Sequence, residues 1–237
     1  IEHVNEAKAS TPFDINRVST GIPKLDQNLG GGLPKSSNIL LLGGLGQGKS
    51  YYLRSLIAKG LAEEERCLFV TLDDAPSLIR SQIGSLVTDP VEEYERKGLL
   101  RFVDAYSWSS FNPSYEEQFS VNGVLDLNQL ASVIADASQD IGQSIQHKLG
   151  GFRVIDSISS LLVQFDLPAV QRFLTQIART SVSFGGVTTF FVMEDKTVDE
   201  QILNNIKYVM DGVIEFKEEN QERLIRVSSM KWTSSSK

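Results

Sequence analysis

Asn38-Ile-Leu-Leu-Leu-Gly-Gly-Leu-Gly-Gln-Gly-Lys-Ser50 joins an apolar run to a complete G-x-x-x-x-G-K-[ST] phosphate-binding loop. The run predicts a buried strand, and the residues after Ser50 carry a helical pattern with Leu53, Leu56, Ile57 and Leu61 on one face. That context decides the reading, because the chemistry needs a strand to deliver the loop and a helix to receive the phosphates. Gly43, Gly44, Leu45, Gly46, Gln47 and Gly48 offer converging backbone N–H groups, with few Cβ atoms in the way. The helix N-terminus adds the positive end of its dipole. Lys49 is placed to reach the β/γ oxygens, and the Ser50 hydroxyl to ligate Mg²⁺. Tyr51 follows directly; its amide or ring meets the α-phosphate or base, or it packs with Tyr52 against the sheet.

Working outward, the 237 residues suffice for one large α/β domain or two small ones. A net charge of −7 argues against a tight duplex-binding face, which usually needs a basic surface. The single cysteine, Cys67, lies in an apolar run and reads as a small buried hydrophobe. With no partner for a disulfide, it suits a reducing cytoplasm. No stretch approaches the roughly 20 apolar residues that span a bilayer, and no signal peptide is visible. The first residue is Ile1 rather than Met, so the chain reads as trimmed or as a fragment.

Residues 1–16 are polar and aperiodic, an N-terminal arm. Residues 17–233 read as a single α/β domain, and 234–237 as a flexible tail. Further strands are expected at Cys67–Leu72, Leu99–Val103, Phe152–Ile155 and Val187–Met193. Helices are expected from Leu78, Ile79, Ile83 and Leu86, from Leu127 through Ile145, and from Val170 through Ile177, the last closed by Gly185-Gly186. Tyr106–Gly123 is aromatic and loop-like; its Trp108 and Phe111 anchor a loop or line a contact. Gly212–Phe216 and Leu224–Ser229, separated by a charged turn, read as an antiparallel hairpin. Alternating strands and helices up to Met193 imply a doubly wound, mostly parallel sheet flanked by helices and finished by that hairpin.

Binding phosphate is not yet hydrolysis, which needs positioned charge and an oriented water. Phe152-Arg-Val-Ile-Asp156 supplies a carboxylate at a strand end, where it either holds the Mg²⁺ shell or caps the next helix. Asp73 and Asp74 follow another strand, and either orient the attacking water or cap the helix beginning near Pro76. Met193-Glu-Asp-Lys196 ends a central strand. The polar segment beyond it, to Asn204, is either a loop or a capped helix start. His3 and His147 have no metal-ligand spacing.

In order along the chain, Arg17-Val-Ser-Thr-Gly-Ile-Pro-Lys-Leu-Asp26, Gly30-Gly-Gly-Leu-Pro34, the phosphate loop, Phe69-Val-Thr-Leu-Asp-Asp74 and Val154-Ile-Asp-Ser157 resemble the KaiC-type branch of the RecA-like ATPases. Val103-Asp-Ala-Tyr-Ser107, Met210-Asp-Gly-Val-Ile-Glu215 and Arg226-Val-Ser-Ser-Met-Lys231 extend the likeness. The resemblance implies a RecA-like fold, ATP with Mg²⁺, and a homo-oligomeric ring, usually a hexamer, with nucleotide between subunits. It also implies a γ-phosphate-sensing role for Met193-Glu-Asp-Lys196. Two positions depart from it. Aspartates 73 and 74 stand where the family carries adjacent glutamates, so slow hydrolysis is expected. The family's lysine and arginine, which reach the neighbour's γ-phosphate, are Ser229 and Lys231 here. Lys231 either acts in trans or is an ordinary solvated lysine, and Arg226 is a weaker candidate. An ATPase working through subunit interfaces is the first expectation, and a nucleotide-gated regulatory or assembly protein, acting on a protein partner, the second. A recombinase-like DNA-binding ATPase and a self-kinase modifying Thr233–Ser236 are further alternatives.

Overall fold

Asn38–Gly43 is buried at every position, as the unbroken apolar run requires of a strand covered on both faces. The structure, a computed structural model, describes residues 15–110, 116–143, 150–183, 186–196, 198–219 and 222–233. In chain order its first elements are β1 (Arg17–Val18), α1 (Pro23–Asn28), β2 (Leu33–Pro34), β3 (Asn38–Gly43), α2 (Lys49–Ala62), β4 (Cys67–Thr71), α3 (Pro76–Gly84) and α4 (Val91–Arg96). There follow β5 (Leu100–Asp104), β6 (Phe119–Ser120), α5 (Leu127–Gln143), β7 (Phe152–Asp156), α6 (Ile158–Gln164) and α7 (Leu167–Ser183). The last are β8 (Thr188–Met193), α8 (Glu200–Val209), β9 (Gly212–Glu219) and β10 (Glu222–Met230).

Strands β1 and β2 form a small antiparallel ladder, and the other eight make one sheet in the order β10-β9-β3-β8-β7-β4-β5-β6. All neighbours in that sheet are parallel except β10, which returns antiparallel to β9. Alternation along the strands sorts the core into two layers. Ile39, Leu41, Phe69 and Val154 face Leu53, Leu56, Ile57, Ile79 and Ile83 of α2 and α3. Leu40, Leu42, Val70 and Ile155 face Leu130, Ile134, Leu161, Leu174 and Ile206 of α5 to α8. Each such side chain contributes about 1.5–3 kcal/mol by leaving water, so the central strands are rigid supports for what their ends carry.

The doubly wound sheet and its terminal hairpin agree with the sequence, while several details differ. Leu78 and Leu86 are exposed rather than packed, because the core-facing pair on α3 is Ile79 and Ile83. The hairpin is longer than its apolar stretches: Lys217 pairs with Leu224, Glu218 with Arg223 and Glu219 with Glu222, so much of the charged turn is ladder. The segment reaching Asn204 is a helix start, with the Asp199 side chain accepting from Ile202 N. Within the aromatic loop, Trp108 packs partly buried against the core. Phe111, Ile145, His147, Gly185, most of the arm and the tail 234–237 lie outside the described residues. Among the described residues, no helix is long and apolar enough to cross a membrane.

Candidate nucleotide-binding site

The phosphate loop leaves the end of β3 and enters α2 at Lys49. Gly48 stands at the N-cap with φ +98°, a left-handed conformation that side chains rarely adopt. Gly43 is constrained by space instead, since a Cβ there would lie 2.4 Å from the Phe216 carbonyl oxygen. Gln47 folds back over the loop, its Oε1 accepting from Gly44 N at 2.6 Å. Ser50 is exposed on the first turn of α2, and Leu45 and Tyr51 project into solvent.

Lys49 is buried, and its ammonium is held by oxygen on three sides. It donates to Gly43 O at 2.6 Å and Gly44 O at 2.9 Å, and pairs with Glu194 Oε1 at 2.9 Å. Glu194 immediately follows β8, which lies beside β3 in the sheet. The Met193–Lys196 segment therefore does reach the loop, with a carboxylate on the lysine that a phosphate would need.

The sheet order brings β7 and β4 next in line. Asp156 ends β7, level with Thr71 of β4 in the ladder. Burial and then the nearby Asp73 push its carboxyl up to about 7; Asp74 adds to this, while Arg54 and Lys49 oppose it. Asp73 and Asp74 diverge from a turn pinned by Thr71, whose hydroxyl donates to Asp74 O at 2.5 Å. Asp74 turns towards α2 and pairs with the buried Arg54, Oδ2 to Nη2 3.3 Å. Asp73 turns towards α6 and accepts from Ser157 Oγ at 2.7 Å and from Ser160 Oγ.

Neither carboxylate site is a helix cap. Ala75 occupies the N-cap of α3 without a side-chain bond. At α6 the cap is Ser157, accepting from Ser160 N. The carboxylates of Asp156 and Asp73, and the Ser50 hydroxyl on the first turn of α2, are the kind of hard oxygens that Mg²⁺ prefers when phosphate and water complete its shell. A divalent cation bound there would offset the burial, and then the neighbouring Asp73, that raise the Asp156 carboxyl.

Beside Gly48 and Tyr51 opens a cavity of about 340 Å³, lined also by Ile22, Tyr52, Phe216 and Arg223. Lys231 lies elsewhere. Met230 pairs with Gly212, and Gly212 with Ile39, whereas the loop begins beyond Gly43. At about 3.3 Å per residue this sets Lys231 about 13 Å or more from its own loop. Its ammonium pairs with Asp211 Oδ1 at 3.1 Å. Arg226 sits on β10 opposite Glu215.

Arg54 and Ser160 escaped the sequence reading. An arginine on the sheet-facing side of an apolar helix pattern is the one available hint for Arg54; Ser160 lies four residues beyond Asp156, in a serine-rich stretch with no pattern of its own.

A family model described as "ATPase: KaiC" matches residues 18–237. The UPF0273 protein MK0039 of Methanopyrus kandleri is 30% identical over 220 residues, covering 92% of this chain and 83% of that one. A UPF0273 protein of Aeropyrum pernix is 31% identical over 202 residues, 84% of this chain and 77% of its own. Among solved structures, the KaiC-like protein PH0186 of Pyrococcus horikoshii superposes with a TM-score of 0.68 at 26% identity, covering 94% of this chain and 92% of that one.

Proposed function

The chain belongs to the KaiC ATPase family, and on that premise we propose that it binds Mg²⁺–ATP on the Gly43–Ser50 loop and hydrolyses it slowly. The observation that carries this reading is that Lys49, Asp156 and Asp73 all stand at the carboxyl edge of one sheet, beyond β3, β7 and β4. Backbone N–H groups of the loop and the α2 terminus receive the phosphates. Lys49 exchanges Glu194 for β/γ oxygens and stabilises the charge that gathers there. Ser50 and Asp156 hold the cation, whose chemistry is to neutralise the phosphate oxygens. Asp73 orients the attacking water, and Asp74, engaged by Arg54, keeps the turn in place. The aromatic-lined cavity beside Tyr51 suits the base.

The output of the cycle is a change at subunit contacts in a homo-oligomeric ring of six. The position of Lys231 supports this, since any phosphate it meets belongs to a neighbour. A second reading, a nucleotide-gated assembly or regulatory protein with little turnover, draws support from the short Asp73 side chain and the engagement of Lys231 by Asp211. Steady-state phosphate release set against bound-nucleotide stoichiometry separates the two. Calorimetric titration of Lys49→Ala with ATP tests the common premise: binding should be lost, and unchanged binding would remove the site.

A further inference from the structure

We propose that Ser157 and Ser160 are positioning residues that clamp the Asp73 carboxylate for its water-orienting task. The proposal rests on the reading of Asp73 given above. Asp73 is exposed at the mouth of the site, where an unrestrained aspartate samples several rotamers. Here each carboxylate oxygen accepts a different hydroxyl: Oδ2 from Ser157 at 2.7 Å, and Oδ1 from Ser160. Ser157 Oγ in turn accepts from Ser160 N at 3.4 Å, so the two donors belong to one hydrogen-bonded turn. A carboxylate offers about four lone-pair positions, which leaves both oxygens able to accept from water while their orientation is fixed.

The source of the donors matters as much as their number. Ser157 and Ser160 follow Asp156 by one and four residues, so the turn that begins at the metal-holding carboxylate also grips the water-orienting one. Leu72 N, bonded to Asp156 O at 2.7 Å, ties the same two strand ends through the backbone. The separation of the two carboxylates is thereby set by a single turn of chain. This restores in angle part of what a side chain one methylene shorter than glutamate gives up, because misplaced groups lose large factors in rate.

The test compares Ser160→Ala, Ser160→Thr, Asp73→Asn and the Ser160→Ala/Asp73→Asn pair. Ser160 leads because Ser157 also caps α6. Phosphate release at saturating Mg²⁺–ATP should fall about tenfold in Ser160→Ala, with KM and the calorimetric ATP affinity unchanged. Ser160→Thr should recover the rate, and the double variant should be no slower than Asp73→Asn alone. In the absence of ligand, denaturant unfolding of the native protein, Ser160→Ala, Asp73→Asn and the double variant should be non-additive, a readout independent of turnover. A normal rate in Ser160→Ala while Asp73→Asn is inactive overturns the clamp but leaves the reading of Asp73 standing. A normal rate in Asp73→Asn removes that reading itself. A faster Ser160→Ala, or additive stabilities, also overturns the proposal.

Discussion

Replacing Asp156 by asparagine sets stability against function at one atom. Burial and the neighbouring Asp73 raise the Asp156 carboxyl from the ordinary aspartate range to about 7. At about 1.4 kcal/mol per tenfold, ionising it in the fold rather than in the unfolded chain costs about 4 kcal/mol. The sign follows from proton linkage. Below about pH 4 the group is protonated in both states and costs nothing. Between about pH 4 and 7 the native state holds the extra proton, so stability falls as pH rises; above about pH 7 the full cost stays.

Asparagine removes this titration but keeps a buried amide, so about half the cost, about 2 kcal/mol, should be recovered. For a chain of this size that is a rise of about 4–8 °C in Tm at pH 8; since protonation returns about 4 kcal/mol to the native protein and nothing to the variant, the difference reverses to a loss of about 2 kcal/mol near pH 4. Thermal unfolding without metal or nucleotide, repeated from pH 4.5 to 8, measures it. Adding Mg²⁺–ATP should then stabilise the native protein and leave Asp156→Asn nearly unmoved, because ligand stabilisation requires binding. A variant less stable than the native protein at pH 8, or a difference that ignores pH, would refute the electrostatic account.

Glu194→Gln removes the anion that competes with phosphate for Lys49; a pair worth about 1 kcal/mol implies roughly fivefold tighter ATP binding by calorimetry. Asp74→Asn should leave phosphate release near the native rate, yet cost about 1–3 kcal/mol in denaturant unfolding, because Arg54 then keeps a buried guanidinium without its carboxylate. Lys231→Ala should leave ATP affinity of the isolated chain unchanged within about twofold. It should slow hydrolysis only under conditions where light scattering shows an assembly, and a large affinity loss in the isolated chain would contradict a role in trans.

The phosphate loop and its strand were legible because a motif and a hydrophobic run coincide within thirteen consecutive residues, 38–50. The central strands were legible for a related reason: burial on both faces leaves no polar alternation to confuse the pattern. Short elements were not. α4 has six residues, of which four are charged, and buries only Val91 and Tyr94, too little for a period to register. α6 begins two residues after β7 and is anchored by a serine cap rather than by a long apolar face.

Within the site, Lys49, Asp156 and Asp73 were named from local patterns. The pairings that define their state were not, although Glu194 stood in a segment singled out at the end of a central strand, since Glu194 lies 145 residues from Lys49 and Ser160 lies 87 from Asp73. Those contacts exist only because β8 and β7 are inserted between β3 and β4. A crossover of that kind leaves no trace in residue spacing.

That strand order also bears on how the molecule comes to exist. β3 is bonded on one side by β8 and on the other by β9, so both of its neighbours are made more than a hundred residues after it. At ribosomal rates of about 5–20 residues per second, the nascent strand waits several seconds without a ladder partner. The Gly43–Ser50 loop is therefore among the last places to acquire its shape, complete only in a polypeptide whose synthesis has passed β9.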